Sequence, residues 1–132
     1  MQTTLAVSTD ERLQTAEITD RVAACVPDDL AAGTCHVFVR HTTAGVLVNE
    51  DEPRLREDLE GFLSDLVSEE GHRHDELDGN ADSHLRAALI GPDATIPIRD
   101  GELALGTWQS IFLLECDGPR ERELLVTVLG TE

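Results

Sequence analysis

The sequence predicts an α+β fold: a compact single domain in which mixed, mostly antiparallel sheets pack with about three helices. Three observations carry this prediction. About seven or eight strand patterns accompany only three helical ones, so a regular strand–helix–strand series does not fit. The strands cluster toward the C-terminus. The last two strands are apolar on both faces, which implies a sheet covered front and back. At 132 residues, the whole chain (1–132) is expected to form one domain.

The first third of the chain contains two strand patterns and one helical pattern. Strands are predicted over residues 3–8 and 12–18. Thr19 is the expected N-cap of a helix over 20–32, which Gly33 ends. Pro27 lies in the middle of this helix, so it is expected to bend or divide it.

Residues 34–41 form the clearest strand pattern. Cys35, Val37, Val39 and His41 alternate onto one face, so His41 continues an apolar face at the end of the strand. A side chain at that position can leave the core and enter a site.

Two more helices follow a small-residue turn and a short strand over 46–49. Pro53 suits the first turn of a helix that runs to about residue 67. The third helix covers 81–90, with Asn80 or Asp82 as N-cap and Gly91 as terminator, and places His84 in its first turn.

The remaining chain is predicted to be antiparallel β structure. A strand over 95–98 turns at 100–101 into a return strand over 102–105. Strands over 108–116 and 123–129, joined by a turn at 117–119, are expected to pair as a long hairpin.

The charge balance excludes one class of partner. The chain has 27 acidic and ten basic residues, all ten of them arginines, and a net charge of −17. Nucleic-acid binding requires a basic surface, so it is excluded. We interpret the acidic, lysine-free surface as adaptation to a high-salt, halophilic cytoplasm, where self-repulsion is screened. An acidic surface for a protein partner is the alternative.

The hydrophobic pattern gives no sign of a membrane. No apolar run reaches the ~20 residues of a membrane span, and residues 1–12 lack a secretory signal pattern, so a cytoplasmic location is expected. The chain has an odd number of cysteines, and none has a CxxC spacing: Cys25, Cys35 and Cys116. They are therefore expected to be small buried residues.

The stretch 72–84 holds three of the five histidines and no apolar periodicity. It is either a solvated loop, a metal site, or an anion or acid–base site. Its HxH spacing and the nine residues between His74 and His84 are not a strong metal pattern. The three alternatives therefore stay open on spacing alone.

Two further segments carry candidate functional groups. The run 106–109 contains the only tryptophan, Trp108, which is either a core residue or an aromatic wall for a flat heterocycle. The run 117–120 is a turn from which Arg120 is able to reach a phosphate or carboxylate.

Six short motifs give the chain a resemblance to a known family. In chain order they are HTTA at 41–44, VNE at 48–50, DGNADSH at 78–84, IPI at 96–98, LGTWQ at 105–109 and DGPR at 117–120. Together, and in this order, they resemble the YjbQ-like family, whose members are often labelled secondary thiamine-phosphate synthase enzymes. The resemblance spans about residues 3–130. Thr43 stands where serine is common, which keeps the hydroxyl.

The resemblance implies a homotrimer and a set of site residues. The catalytic candidates are His41, Glu50, His74 and His84, and the substrate-binding candidates are Asn49, Asp82, Thr107, Trp108 and Gln109. Arg120 is a further substrate-binding candidate because of its place in the turn at 117–120. His41, His74 and His84 are also the candidate ligands of a divalent metal.

Three functions are compatible with these residues. The first is a thiamine-phosphate synthase-like transferase that condenses a thiazole phosphate with hydroxymethylpyrimidine pyrophosphate. There the histidines and Arg120 would hold phosphate oxygens, Glu50 or Asp82 would hold Mg²⁺, and Trp108 would stack the pyrimidine. The second is a Zn²⁺-dependent hydrolase of a small phosphorylated or acyl substrate. The third is a non-catalytic trimer that binds a small anion.

Overall fold

The computed structural model describes residues 1–131, which form eight strands and three α-helices. The strands are β1 (Gln2–Ser8), β2 (Gln14–Glu17), β3 (Gly33–Val39), β4 (Ala44–Glu50), β5 (Asp93–Arg99), β6 (Glu102–Leu103), β7 (Gln109–Glu115) and β8 (Glu121–Gly130). The helices are α1 (Thr19–Ala23), α2 (Pro53–Leu66) and α3 (Ala81–Ile90), and a short 3₁₀ helix covers Arg73–Glu76.

The strands form two antiparallel sheets. The larger sheet has the order β1-β8-β3-β5-β6, and the smaller one has the order β2-β7-β4. The recorded pairings are all antiparallel. The predicted α+β class is confirmed, with eight strands and three helices.

The main core lies between the two sheets. Cys35, Val37 and Val39 of β3 pack in one cluster with Ile111 and Leu113 of β7, and all five are at most 1% exposed. The alternation predicted for β3 is therefore confirmed, because its apolar face meets the smaller sheet across a sandwich.

Helices α2 and α3 cover the other face of the smaller sheet. Leu63 of α2 and Ala87 of α3 form a second cluster with Leu114 and Cys116. The middle strand of the smaller sheet, β7, is consequently buried on both faces from Ile111 to Glu115, as its sequence predicts. The predicted bounds of α2 and α3 are also confirmed to within about one residue.

Strand β8 differs from the prediction in two ways. It pairs with β1 and β3 rather than with β7, so the expected long hairpin is wrong. The turn after β7 instead carries the chain from the smaller sheet to the larger one. Only one face of β8 is fully buried, so the predicted burial of both faces is wrong.

The predicted first helix is also wrong in extent. Helix α1 ends at Ala23, and residues up to Gly33 lack regular helical structure. Pro27 accounts for this, because it cannot donate the backbone hydrogen bond that would continue the helix. Thr19 is the first helical residue rather than the N-cap, and its hydroxyl accepts a hydrogen bond from the Ile111 amide at 2.8 Å.

The three cysteines are buried and free, as predicted. Burial raises the pKa of Cys35 to about 11 and that of Cys116 to about 12, so these thiols stay protonated near neutral pH. In the part of the chain that the structure describes, no helix is long and apolar enough to cross a membrane.

Gly45 allows α3 to approach β4 closely. A Cβ atom at this position would lie 2.8 Å from the carbonyl oxygen of Gly91 and 3.1 Å from Cγ2 of Ile90. The same carbonyl accepts a hydrogen bond from the Val46 amide at 3.1 Å. The backbone contact therefore leaves no room for a side chain on β4 at this point.

We expect Gly45→Ala to destabilise the protein by about 1–3 kcal/mol, because a new methyl group would push α3 away from β4. Gly61→Ala in α2 is the matched control. A Cβ there meets nothing within 4 Å, so alanine should stabilise the helix by about 0.5–1 kcal/mol. Urea unfolding of both variants measures the two changes. Equal changes of the same sign would contradict this account of Gly45.

Candidate functional site

A polar cavity of about 430 Å³ opens at the end of the sandwich where β3 and β7 finish. We call it the His–Arg cavity. Three chain segments form it: the turn between β3 and β4, the chain entering α3, and the turn between β7 and β8. Its lining consists of Arg40, His41, Thr42, Thr43, Asp78, Asn80, His84, Asp117, Arg120 and Arg122. Three of the ten arginines in an acidic chain therefore meet at one cavity.

His41 is held by a backbone contact from β8. Its Nε2 accepts a hydrogen bond from the Glu123 amide at 2.9 Å, so this nitrogen carries no proton. The neutral ring therefore has its proton on Nδ1. Burial, followed by the charge of Arg122, lowers the pKa of His41, although Glu115 and Glu123 act in the opposite direction. His41 is thus a neutral N–H donor rather than a cation near neutral pH.

A buried ion pair lies beneath His41. Arg122 donates from Nε to Oε1 of Glu115 at 2.8 Å and makes a second bond to Oε2, and both side chains are at most 3% exposed. Thr9 donates to the same carboxylate, and Arg122 also bonds to Thr43. Burial is the largest single influence and would raise the pKa of Glu115, but the hydrogen bonds from Arg122, the Asp117 amide and Thr9, together with the charge of Arg122, lower the pKa overall.

Asp82 belongs to a second buried ion network. Its carboxylate accepts hydrogen bonds from Arg12 at 2.9 and 3.0 Å and another from Arg86, and Asp82 itself is fully buried. Burial opposes ionisation, yet the two arginines lower the pKa of Asp82. We therefore interpret Asp82 as the residue that fixes the first turn of α3, and with it His84.

The rim of the cavity combines Arg120 with Asn80 and Asp117. Arg120 donates to Asp117 Oδ2 at 3.0 Å, and the Asn80 amide donates to the same oxygen at 3.0 Å. Asn80 is the N-cap residue of α3, as predicted, but its side chain points to Asp117 instead of capping the helix. The other side-chain atom of Asn80, Oδ1, is buried and has no hydrogen-bond partner among the described residues.

His74 lies against His84 rather than in the cavity. The two rings meet edge to face with centroids 4.8 Å apart. His74 Nε2 is buried without a hydrogen bond among the described residues, since the nearest carboxylate oxygen, Oδ2 of Asp78, is 3.6 Å away. Only one of the two loop histidines therefore meets His41 as expected. His84 shares the cavity with His41, and His74 packs behind His84.

The other predicted site residues lie at the far end of the smaller sheet. Ala44 pairs with Glu115, whereas Glu50 pairs with Gln109 six positions further along β4. At about 3.3 Å per residue this separates the two ends by roughly 20 Å. The far end holds Asn49, Glu50, Thr107, Trp108 and Gln109. Trp108 is 72% exposed, so its interpretation as a core residue is wrong.

Seven of the ten lining residues were not among the sequence candidates: Arg40, Thr42, Thr43, Asp78, Asn80, Asp117 and Arg122. Arg40 precedes His41, and Asn80 and Asp117 lie inside the motifs quoted above, so position alone could have suggested them. Arg122 had no such signal. Arg122 occupies one of the alternating buried positions of β8. Only the fold shows that it meets Glu115.

The candidate metal ligands are not gathered into one group in the described part of the chain. Among residues 1–131, no three histidine, cysteine or acidic side chains lie close enough together to hold a metal ion. His41 already uses Nε2 for the Glu123 amide, and the Asp82 carboxylate is bonded by two guanidinium groups.

A two-sheet α+β domain with a histidine–arginine cavity at one end of its sandwich is the class of protein that these features define. Residues 3–131 match the family model described as UPF0047 protein YjbQ-like, and the chain belongs to this family. A UPF0047 protein from Archaeoglobus fulgidus is 44% identical over 126 residues, which cover 95% of this chain and 98% of the relative.

Solved structures agree with this assignment. A YbjQ-like protein of unknown function from Sulfolobus solfataricus has a TM-score of 0.96 at 37% identity, covering 99% of this chain and 97% of that one. A hypothetical protein from Aeropyrum pernix has a TM-score of 0.95 at 41% identity, covering 99% of both chains. The resemblance to the family that the six motifs indicated is confirmed.

Arg122→Ala should destabilise the protein by about 3–5 kcal/mol, because it leaves the Glu115 carboxylate buried without a counter-charge. Arg40→Ala, which removes an exposed pair with Glu123, should cost no more than about 1 kcal/mol. The double variant Glu115→Gln/Arg122→Met should recover part of the loss, since no buried charge remains. Urea unfolding measures all three, and similar losses for the two single variants would contradict the buried pair.

The lowered pKa of His41 predicts a pH dependence of stability. Below about pH 6.5 the unfolded chain takes up a proton at residue 41 that the folded chain does not. Stability from this group is therefore complete above about pH 6.5 and falls as the pH decreases toward the folded pKa. His41→Gln keeps an acceptor for the Glu123 amide and removes the titration. The variant should lose less stability than the wild type between pH 6.5 and 5, and parallel profiles would contradict the assignment.

Proposed function

We propose that the protein binds a small phosphorylated substrate in the His–Arg cavity. The observation that carries this proposal is the grouping of Arg40, Arg120 and Arg122 with His41 and His84 around one cavity, in a chain of net charge −17. Guanidinium groups bind phosphate oxygens through paired N–H donors, and a neutral histidine adds one further donor.

The cavity arginines differ in how easily a ligand can recruit them. Arg40 and Arg120 pair with Glu123 and Asp117 at the surface, with side chains 55% and 52% exposed. An exposed pair contributes little, so a phosphate is able to replace Glu123 at small cost. The side chain of Asp117 is only 14% exposed, but it keeps the hydrogen bond from Asn80 when Arg120 turns to a phosphate. Arg122 stays with Glu115, since breaking a buried pair is expensive. Because every arginine already has a carboxylate partner, the site suits a single phosphate better than a pyrophosphate.

The proposed chemistry is a displacement assisted by charge stabilisation, of the kind that a thiamine-phosphate synthase-like transferase performs. In that reaction the ring nitrogen of the thiazole phosphate forms a bond to the methylene carbon of the hydroxymethylpyrimidine while the bond from that carbon to pyrophosphate breaks, so the site must position substrates and supplies no covalent nucleophile. His41 Nδ1–H, His84 and Arg120 would donate to the phosphate of the thiazole phosphate, which is the monoester of the two substrates. The three thiols are buried, and burial raises the pKa of Cys35 and Cys116, which agrees with a reaction that uses no cysteine.

The far-end residues require a second chain if they act on the same substrate. Glu50 and Trp108 lie roughly 20 Å from His41 along the smaller sheet, so they do not reach the cavity of their own chain. We propose that the homotrimer implied by the family resemblance brings them to a neighbouring cavity. Light scattering in solution tests this assembly, and a monomeric mass would exclude it.

Binding and turnover test the function separately. In the wild type we expect inorganic phosphate to shift the backbone NMR signals of Asn80, His84 and Arg120. Arg120→Ala should weaken binding by about tenfold, the scale of one charge-assisted hydrogen bond. Arg99→Ala, a change on an exposed residue of β5 outside the cavity, is the control.

Formation of thiamine phosphate from its two precursors measures the transferase. We expect turnover that His41→Ala and His84→Ala reduce by at least about tenfold. Phosphate binding without turnover would exclude the transferase and leave the hydrolase and the non-catalytic anion-binding protein. Absence of phosphate binding would overturn the proposed site.

A further inference from the structure

A second cavity lies directly beside the His–Arg cavity. It has a volume of about 480 Å³ and shares Arg40, His41, Thr42 and His84 with the first. These four residues line both spaces, so the two cavities adjoin one another. We call the second space the apolar cavity.

The rest of the apolar cavity is made of small or hydrophobic residues. They come from the end of β3, the start of β4, the second half of α3 and the turn that follows it, and include Phe38, Ala87, Ala88, Gly91 and Pro92. Alanine and glycine on this side leave the space open. No aspartate or glutamate lines it among the described residues, although the chain has 27 acidic residues.

We propose that the ligand is a phosphate monoester with a compact aromatic or aliphatic body: its phosphate lies in the His–Arg cavity and its body in the apolar cavity. This inference rests on the proposed function, because the phosphate site fixes one end of the ligand. The apolar cavity falls in the size range of small-molecule sites, and it is large enough for a single ring.

The lining also selects against other phosphate esters. A sugar or glycerol body would bring hydroxyl groups into a space whose unshared walls offer few hydrogen-bond partners, and unpaired hydroxyl groups are costly to bury. Inorganic phosphate would leave the apolar cavity unused. The body of the substrate should therefore have few polar groups.

Three probes of the wild type separate these classes. Burial of roughly 60 Å² of apolar surface corresponds to about a tenfold gain in affinity. Phenyl phosphate should therefore bind at least about tenfold more tightly than inorganic phosphate, while glycerol phosphate should show no gain. NMR titration should show the amides of Ala87, Ala88 and Gly91 shifting with phenyl phosphate but not with inorganic phosphate.

Two variants test whether the body of the ligand binds in the apolar cavity. Ala88→Gln puts a bulky polar side chain into the apolar cavity from an exposed position of α3, so the fold should tolerate it. This variant should weaken the binding of phenyl phosphate by about tenfold and leave the binding of inorganic phosphate unchanged. Leu89→Gln is the matched control, because Leu89 is 59% exposed on the same helix and lines neither cavity.

The outcomes distinguish this inference from the proposed function. Equal affinity for phenyl phosphate and inorganic phosphate, or no effect of Ala88→Gln on phenyl phosphate, would overturn the apolar body and leave the phosphate site standing. A gain with glycerol phosphate equal to that with phenyl phosphate would also overturn it. If inorganic phosphate and phenyl phosphate both fail to bind, the proposed function fails and this inference fails with it.

Discussion

The buried ion pair between Glu115 and Arg122 is the interaction on which this end of the molecule depends. It joins the last residue of β7 in the smaller sheet to the start of β8 in the larger one. Thr9, which follows β1, and Thr43, which precedes β4, complete its hydrogen bonds. Two charges removed from water are tolerable only when each is fully paired, so the four chain segments that supply these groups are held in one arrangement.

The Glu115–Arg122 pair fixes the geometry of the candidate site. The amide that fixes His41 belongs to Glu123, the residue after Arg122, and the turn after Glu115 carries Asp117 and Arg120. The Arg12–Asp82–Arg86 network does the same for the first turn of α3, where His84 lies. Both networks place buried charges behind the cavity, and the exposed arginines at its rim are left available for an anion.

Local sequence patterns predicted much of the fold. The alternation on β3, the proline at the start of α2, the glycine after α3 and the two-faced burial of β7 all agree with the structure. The errors have physical causes. Pro27 prevents α1 from continuing, and the turn after Glu115 crosses between sheets, so two neighbouring strands in sequence do not pair. Turn residues look the same in sequence whether the chain turns back within a sheet or crosses to another.

The sequence alone determined the class of fold, the burial of the cysteines and the position of His41 at the end of an apolar strand face, because these depend on periodicity over a few residues. The six motifs likewise indicated the family. Only the tertiary structure decided which candidates meet: His41, His84 and Arg120 share a cavity, Asp82 is enclosed by two arginines, and Glu50 and Trp108 lie at the other end of the sheet. The reason is that the cavity joins segments around residues 40, 80 and 120. Contacts between residues so far apart in the chain depend on sheet order and burial, which no local pattern encodes.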